Sequence, residues 1–204
     1  MVAKIVLPEG ASTKREAVLQ TAIRIFAEQG YHNTDVQSIA DSAGVGNGTV
    51  YRHFGKKEAL FLAAVDSAMQ RLDEHFYAAI SGITNPFELL RAGAVAYAEF
   101  FEANPQLVEL MIQERCEFRG DVPDTHLMYR EKNREVFEQL LVANIAQGIV
   151  RPVDVKSTVI GVANLMYGTV VMGCIAGEQG RLKESLLNMV EVVIRGLQPP
   201  ANHV

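Results

Sequence analysis

The sequence predicts an all-α fold of about nine helices, and three observations carry that prediction. Apolar residues recur three and four positions apart over most of the 204 residues, while no run alternates with the period of two that a half-buried strand needs. Helix-opening signals recur at Thr13, Thr34, Asn85, Asn104 and Asp154. Glycines 30, 44, 120 and 148 fall where the periodic runs stop, as helix ends require. No internal repeat is present.

Residues 1–12 read as a flexible arm. Thr13 and Glu16 form a capping box, in which each side chain satisfies a backbone donor of the other, and open a helix with Val18, Ala22, Ile25 and Phe26 as its core stripe. Gly30 ends it. Thr34 and Gln37 form a second box, so a short helix is expected from Asp35, with Val36, Ile39 and Ala40 inward and Gly44 at its end. A third helix begins near Gly46. Its inward residues are Val50 and Phe54, four apart, which leaves Asn47, Gly48, Thr49, Tyr51, Arg52 and His53 on its other faces. Leu60, Ala64, Ala68, Leu72 and Phe76 then mark one long helix from Lys56 to about Ile80, joining two domains.

Asn85-Pro86 and Asn104-Pro105 each put a cap residue before a proline at the first helical position, so two helices begin there, the second running to Gly120. Pro123 introduces a helix that ends near Gly148, with Phe137, Leu140, Leu141 and Ile145 as its stripe. Asp154 caps a helix through Thr158. The last helix runs from about Arg181 to Leu197 and is stopped by Pro199-Pro200.

A short helix, a glycine turn and a second helix with an outward polar set describe a DNA-reading helix-turn-helix, because those side chains can hydrogen-bond phosphates or base edges. Gly44-Val45-Gly46-Asn47-Gly48 also has the composition of a phosphate-binding loop, but such loops follow a strand and this one follows a helix, with no Gly-Lys-Ser/Thr ending. As an ordinary core hairpin, Tyr51-Arg52-His53 would be an oddly polar choice.

The run from Thr13 to about Leu62 resembles the amino-terminal domain of the TetR family of bacterial transcriptional regulators. The residues that carry the resemblance are Phe26-Ala27-Glu28-Gln29-Gly30-Tyr31, Thr34 through Ile39-Ala40, Ala43-Gly44-Val45, Gly48-Thr49-Val50-Tyr51, His53-Phe54 and Lys57-Glu58-Ala59-Leu60. Gly46 stands where the family often has Ser, which costs roughly a few tenths of a kcal/mol of capping.

The resemblance implies a helix-turn-helix DNA-binding domain over 13–60, an effector-binding and dimerisation domain over 61–197 and a tail over 198–204. It also implies a cytoplasmic homodimeric repressor of a pseudo-palindromic, double-stranded DNA operator, released by a small-molecule effector. On that pattern Asn47 and Arg52 read base edges, since Asn matches adenine and Arg guanine. Gly48 lets the backbone approach closely, and Thr49, Tyr51, His53 and Lys57 hold phosphates. Thr34 is either a phosphate contact or a cap, and His53 either a phosphate contact or a packed core residue. The final two helices would pair with their twins, Gly161, Gly168 and Gly173 allowing close approach and Leu187, Val190 and Ile194 lying in the interface. The alternative is that these glycines only fit an intrachain neighbour.

Two readings compete for the polar stretch Glu114 to Arg119 with His126, Tyr129, Arg130 and Asn133. Glu114 with Arg130 makes a structural ion pair between helices, the form in which buried charges are usually found. Otherwise Arg115, His126 or Arg130 holds an anionic ligand, with Tyr97, Phe101, Met111, Phe118, Tyr167 and Met172 as apolar walls. Glu114, Glu117 and His126 lack the dense His/Cys spacing of a metal site, so neither metal nor cofactor is expected.

Net charge is -5, yet residues 1–60 hold seven Lys/Arg against six Asp/Glu, so nucleic-acid contact belongs to the amino-terminal part. Two cysteines, Cys116 and Cys174, make no disulfide framework. The first ten residues have one Lys and a short apolar run broken by Pro8, too little for a signal peptide. Thr158 to Gly177 is uncharged over about a bilayer's length, but Asn164, the threonines and the glycines make a subunit interface the more economical reading. No enzyme is expected: there is no Gly-x-Ser-x-Gly elbow, His-Glu-x-x-His or Cys-x-x-Cys. The rival to a regulator is a helical ligand-binding or interaction module without specific DNA binding.

Overall fold

The computed structural model describes residues 14–118, 120 and 124–200. The predicted arm, Thr13 of the first capping box, Arg119, Pro123 and the last four residues of the tail lie outside them. Among the described residues there are nine α-helices, one 3₁₀ turn and no strand. The helices are α1 (Lys14–Gln29), α2 (Val36–Ser42), α3 (Asn47–Phe54), α4 (Lys57–Ile80), α5 (Pro86–Ala103), α6 (Gln106–Glu117), α7 (Thr125–Ala146), α8 (Val155–Ile175) and α9 (Leu182–Leu197). Two compact units result, one up to Arg71 with Ala103–Leu127, the other Leu72–Glu102 with the chain from Met128 onward.

In the first unit α1 packs on α2, α3 and α6. Its apolar stripe, completed by Leu19 and Ile23, is fully buried, as are Ile39, Val50, Leu60 and Phe61. α6 belongs to this unit, although the family pattern assigns it to the effector half. Its buried Leu107, Val108 and Leu110 need a partner, and Gln113 Nε2 donates to the Phe26 carbonyl at 3.1 Å. Periodicity announces such a face without naming what covers it.

The start of α2 differs from expectation. Asp35, not Thr34, is the N-cap: its Oδ1 accepts from Gln37 N at 3.0 Å. The Thr34 hydroxyl donates instead to the Gly30 carbonyl at 2.7 Å, an acceptor left over at the end of α1, and Gln37 Nε2 donates to Asp41. Gly44, at φ 68°, closes α2: Val45 N donates to Ala40 O and Gly44 N to Asp41 O, the paired bonds of a Schellman end.

In the second unit α9 lies on α8. A Cβ at Gly173 would come 2.5 Å from Leu182 Cδ2, so this glycine is where the two helices meet. Arg91 forks onto Glu191 and Lys183 reaches Glu99, tying α9 to α5. Asn85 Oδ1 caps α5 by accepting from Phe87 and Glu88 N–H, and Asp154 Oδ1 caps α8 by accepting from Ser157 N.

α8 is apolar almost throughout, yet only Met166 and Val170 are buried in the protomer. Among the described residues it is the one helix long and apolar enough to cross a membrane. Gly161 and Gly168 face open space. Val190 and Ile194, expected in a subunit interface, are 0% and 1% exposed within the protomer's own core, and Leu187 is half-buried. The outward apolar residues of α9 are Met189 and Val192 instead. A stripe at helical spacing marks two candidate faces when a helix is apolar on both, and the denser one turned inward.

Candidate nucleic-acid interface

α3 is eight residues long and held to the first unit through Val50, 1% exposed, with Phe54 half-buried one turn on. Gly46 caps it with no side-chain bond. Gly48, Tyr51, Arg52 and His53 are exposed and Thr49 is half-buried. His53 is therefore not a core histidine. Arg52 and His53 sit in the last turn, where the helix dipole favours positive charge. Asn47 is half-buried, and its Oδ1 is enclosed without a hydrogen-bond partner. An acceptor left in that state costs about 1 to 3 kcal/mol, which places an unsatisfied group in the first turn of the candidate reading helix.

The turn from α3 into α4 is unusually tight. Gly55 takes φ 76° and ψ -56°, and Lys56 N reaches back only two residues to Phe54 O at 2.9 Å. That is a γ-turn in a region costly to any side chain. Lys57 then starts α4 with its ammonium 4.8 Å from the centre of the Tyr31 ring, donating to the His32 carbonyl at 3.1 Å. It braces the α1–α2 turn. Thr34, 3% exposed with its hydroxyl proton committed to Gly30, is a structural residue of the same turn.

Tyr31 is the hub of this region. Its ring meets Phe61 at 5.3 Å and Phe118 at 5.2 Å, both edge-on, while Phe26 meets Phe61 at 5.0 Å. His32 Nε2 lies 2.7 Å from Glu117 Oε2. The end of α6 is thereby fastened to the turn that precedes the helix-turn-helix. Burial raises the Tyr31 phenol pKa, and the Glu58 and Glu117 charges raise it further against Lys56. Sequence reasoning missed this knot and also Arg15, whose guanidinium lies 5.4 Å from the Phe54 ring centre at the end of α3. A basic residue in the first turn of α1 carries no sign of that placement.

The nine residues named for an effector site divide between the units. In the first, Met111 is core, Phe118 belongs to the aromatic knot, Arg115 is exposed and His126 is 4% exposed. In the second, Tyr97 and Phe101 are buried with ring centres 5.1 Å apart, Tyr167 and Arg130 are half-buried, and Met172 is 63% exposed, too open for a cavity wall of this protomer.

The expected Glu114 to Arg130 ion pair does not form. Glu114, 2% exposed, accepts from Thr125 N at 3.1 Å and from the Thr125 hydroxyl, capping α7, while Arg130 Nη2 donates to Asn164 Oδ1 at 2.8 Å. A backbone N–H at a helix start suits a carboxylate and is available eleven residues on, at Thr125. Burial raises the Glu114 pKa, the Thr125 bonds oppose that, and Asp124 and Asp66 add to it.

Residues 18–64 match the family of bacterial regulatory proteins, tetR family. The HTH-type transcriptional repressor BepR of Brucella suis is 29% identical over 94% of this chain and 95% of its own. The HTH-type transcriptional regulator HbdR of an Aromatoleum species is 25% identical, and the match spans 72% of this chain but 64% of HbdR's length. A TetR transcriptional regulator from Chloroflexus aurantiacus has a crystal structure that superposes with a TM-score of 0.75, at 25% identity, over 91% of this chain and 96% of that one. With the capped α2, the glycine turn and the polar outer face of α3 lying inside the matched segment, residues 18–64 are a DNA-binding domain of the tetR family type, and the rest of the chain is similar in sequence and fold to TetR-family regulators.

Proposed function

We propose that this protein is a homodimeric transcriptional repressor that binds a pseudo-palindromic operator through α3 and releases it when a small molecule binds the larger helical part. The observation that carries the reading is the exposed polar face of α3, seated on a buried Val50 and set by a γ-turn only glycine adopts without strain. Arg52 suits a guanine edge, and Asn47 suits an adenine once its side chain turns its enclosed oxygen outward. Gly48 lets the helix approach closely, and Thr49, Tyr51 and His53, joined by Arg15 and Lys56, are placed for phosphates. Lys57 and Thr34 act by holding the α1–α2 turn.

Two copies would present α3 to successive major grooves about 34 to 36 Å apart, so that operator symmetry mirrors protein symmetry. The surface that suits self-association is the outer side of α8 and α9, where Gly161, Gly168, Met172 and Ile175 lie beside Met189 and Val192, unpaired in the protomer. An effector needs to favour the non-binding state by only about 1 to 3 kcal/mol to change operator affinity 5- to 150-fold. BepR, the relative aligned over nearly its whole length, is named a repressor, which supports that sign of regulation.

Selection of bound duplexes from a random pool at two salt concentrations tests the reading. A recovered palindrome that persists at the higher salt upholds it. Recovery of no motif favours an interaction module and defeats it.

A further inference from the structure

The outer side of α9 carries an acid at one end and a base at the other. Glu184, Asn188, Val192 and Arg195 are all exposed and stand at i, i+4, i+8 and i+11, one stripe along the helix, with Met189 exposed beside it. Glu184 lies in the first turn and Arg195 in the last. Neither charge is tightly held within the protomer. Glu184 meets Arg181 at 3.5 Å with side chains 64% and 67% exposed, a pair of little energetic weight. Arg195 forms no salt bridge among the described residues, and Glu191, one turn before it, is already forked onto by Arg91.

Such a stripe is complementary to itself. In a two-fold interface residue i of one copy meets j of the other and j meets i, so a helix reversed against its twin brings the acid of each end to the base of the other. For Glu184 to face Arg195 the axis must pass midway between them, beside Met189 and Val190. The contact of Gly173 with Leu182 fixes how α8 runs alongside α9. Counted in opposite directions from that contact, Leu165 and Met166 lie at the level of the axis, between Gly161 and Gly168, whose sides are open. The axis that the charges of α9 require thus crosses α8 where a second backbone can come close.

The other way of stacking two such hairpins, α9 across the partner's α8, suits the charges badly. The α9 end lies at the start of α8, where Arg151 N donates to the Leu197 carbonyl at 2.9 Å. Arg195 would therefore come within about one turn of the partner's Lys156, and Glu184 would face the uncharged second half of α8.

We propose that the outer side of α8 and α9 takes a second copy of this chain with α9 antiparallel to its twin, Glu184 of each protomer meeting the partner's Arg195, and that these two charge pairs set the register and select self over other chains. The proposal rests on the homodimer of the reading above and adds its register and specificity. Charges at an interface choose partners chiefly through the repulsion that a wrong pairing meets.

The test uses the full-length chain, Glu184→Lys, Arg195→Glu and the double reversal, each at low and at high salt. Sedimentation equilibrium gives the homodimer dissociation constants, and native mass spectrometry of mass-labelled mixtures counts mixed dimers. Each single reversal is expected to weaken its own homodimer about ten- to hundred-fold at low salt, because two like-charge contacts replace two pairs, and less at high salt. Mixing the two single variants should restore a dimer to within about three-fold of wild type, since every contact is again acid to base. The double reversal should pair with itself and reject the wild type. Any cost of either substitution to the helix persists in the mixture, so recovery there reads the pairing alone.

A wild-type dimer whose strength ignores both reversals, single variants that fail to recover on mixing, or a homodimer tightened by Arg195→Glu, as the crossing of α9 over α8 requires, overturns the proposal and leaves the homodimer standing. A wild type that stays monomeric at high micromolar concentration, or that associates only with phosphatidylcholine vesicles, overturns the homodimer and this register with it.

Discussion

Thr34 shows how one side chain changes role once its neighbours are in place. Its hydroxyl serves the Gly30 carbonyl of the preceding helix, so Thr34→Val should cost about 1 kcal/mol of stability while leaving the salt dependence of DNA binding unchanged. Denaturant unfolding and binding titrations at several salt concentrations check both halves. Glu114 is a second case. Its folded pKa lies above its unfolded value, chiefly through burial, so its favourable contribution is complete below the unfolded pKa near 4.5 and is lost as pH rises through the folded one. The stability of Glu114→Gln relative to wild type should therefore improve as pH is raised from 4.5 toward neutrality, measured by denaturant midpoints across that range. A difference that stays flat or declines would refute the burial argument. Neither role was legible beforehand: the capping signature at Thr34 was present, and its outcome was decided by a stray carbonyl and by the adjacent Asp35.

At the scale of elements, helix ends were the most legible feature, because caps and positive-φ glycines act within four or five residues. Gly55 is the sharpest instance. Gly55→Ala meets no steric neighbour, yet the backbone at φ 76° should make it cost about 1 to 2 kcal/mol and swing α3 relative to α4, with operator affinity falling more than stability accounts for. Thermal unfolding beside operator titration measures the two losses separately. The glycines of α8 differ in kind although they share a helix. Gly173→Ala should destabilise the protomer by about 1 to 3 kcal/mol through its clash with Leu182. Gly168→Ala, in open space, should gain about 0.8 to 1 kcal/mol of helix propensity in the protomer and weaken self-association if α8 faces its twin. Sedimentation velocity and unfolding on both variants resolve the pair, and loss of protomer stability in both would show that Gly168 too is spent internally.

For the molecule as a whole, a chain of net charge -5 that binds DNA must do so through local cations, so operator affinity should fall steeply with salt despite the overall sign. Arg15→Ala should lower the slope of log affinity against log salt by about 0.9, the value of one phosphate contact, on specific and nonspecific DNA alike. Arg52→Ala should instead cost mainly the specific complex, so equal effects of the two on all DNA would remove the division between phosphate and base contacts. The helical class, the order of the helices, the caps at Asn85 and Asp154 and the helix-turn-helix were legible in the sequence alone, because periodicity, capping and turn chemistry act over a few residues, whereas α2 is capped by Asp35 rather than Thr34 and α6 starts at Gln106 after Pro105 with no side-chain cap from Asn104. Tertiary structure alone decided that α6 joins the first unit, that Val190 and Ile194 turn inward while Met189 and Val192 stay out, and that Glu114 caps α7 and leaves Arg130 without a carboxylate. Each depends on which surfaces meet across tens of residues of chain, and a helical stripe records that a face is apolar or charged without recording its partner.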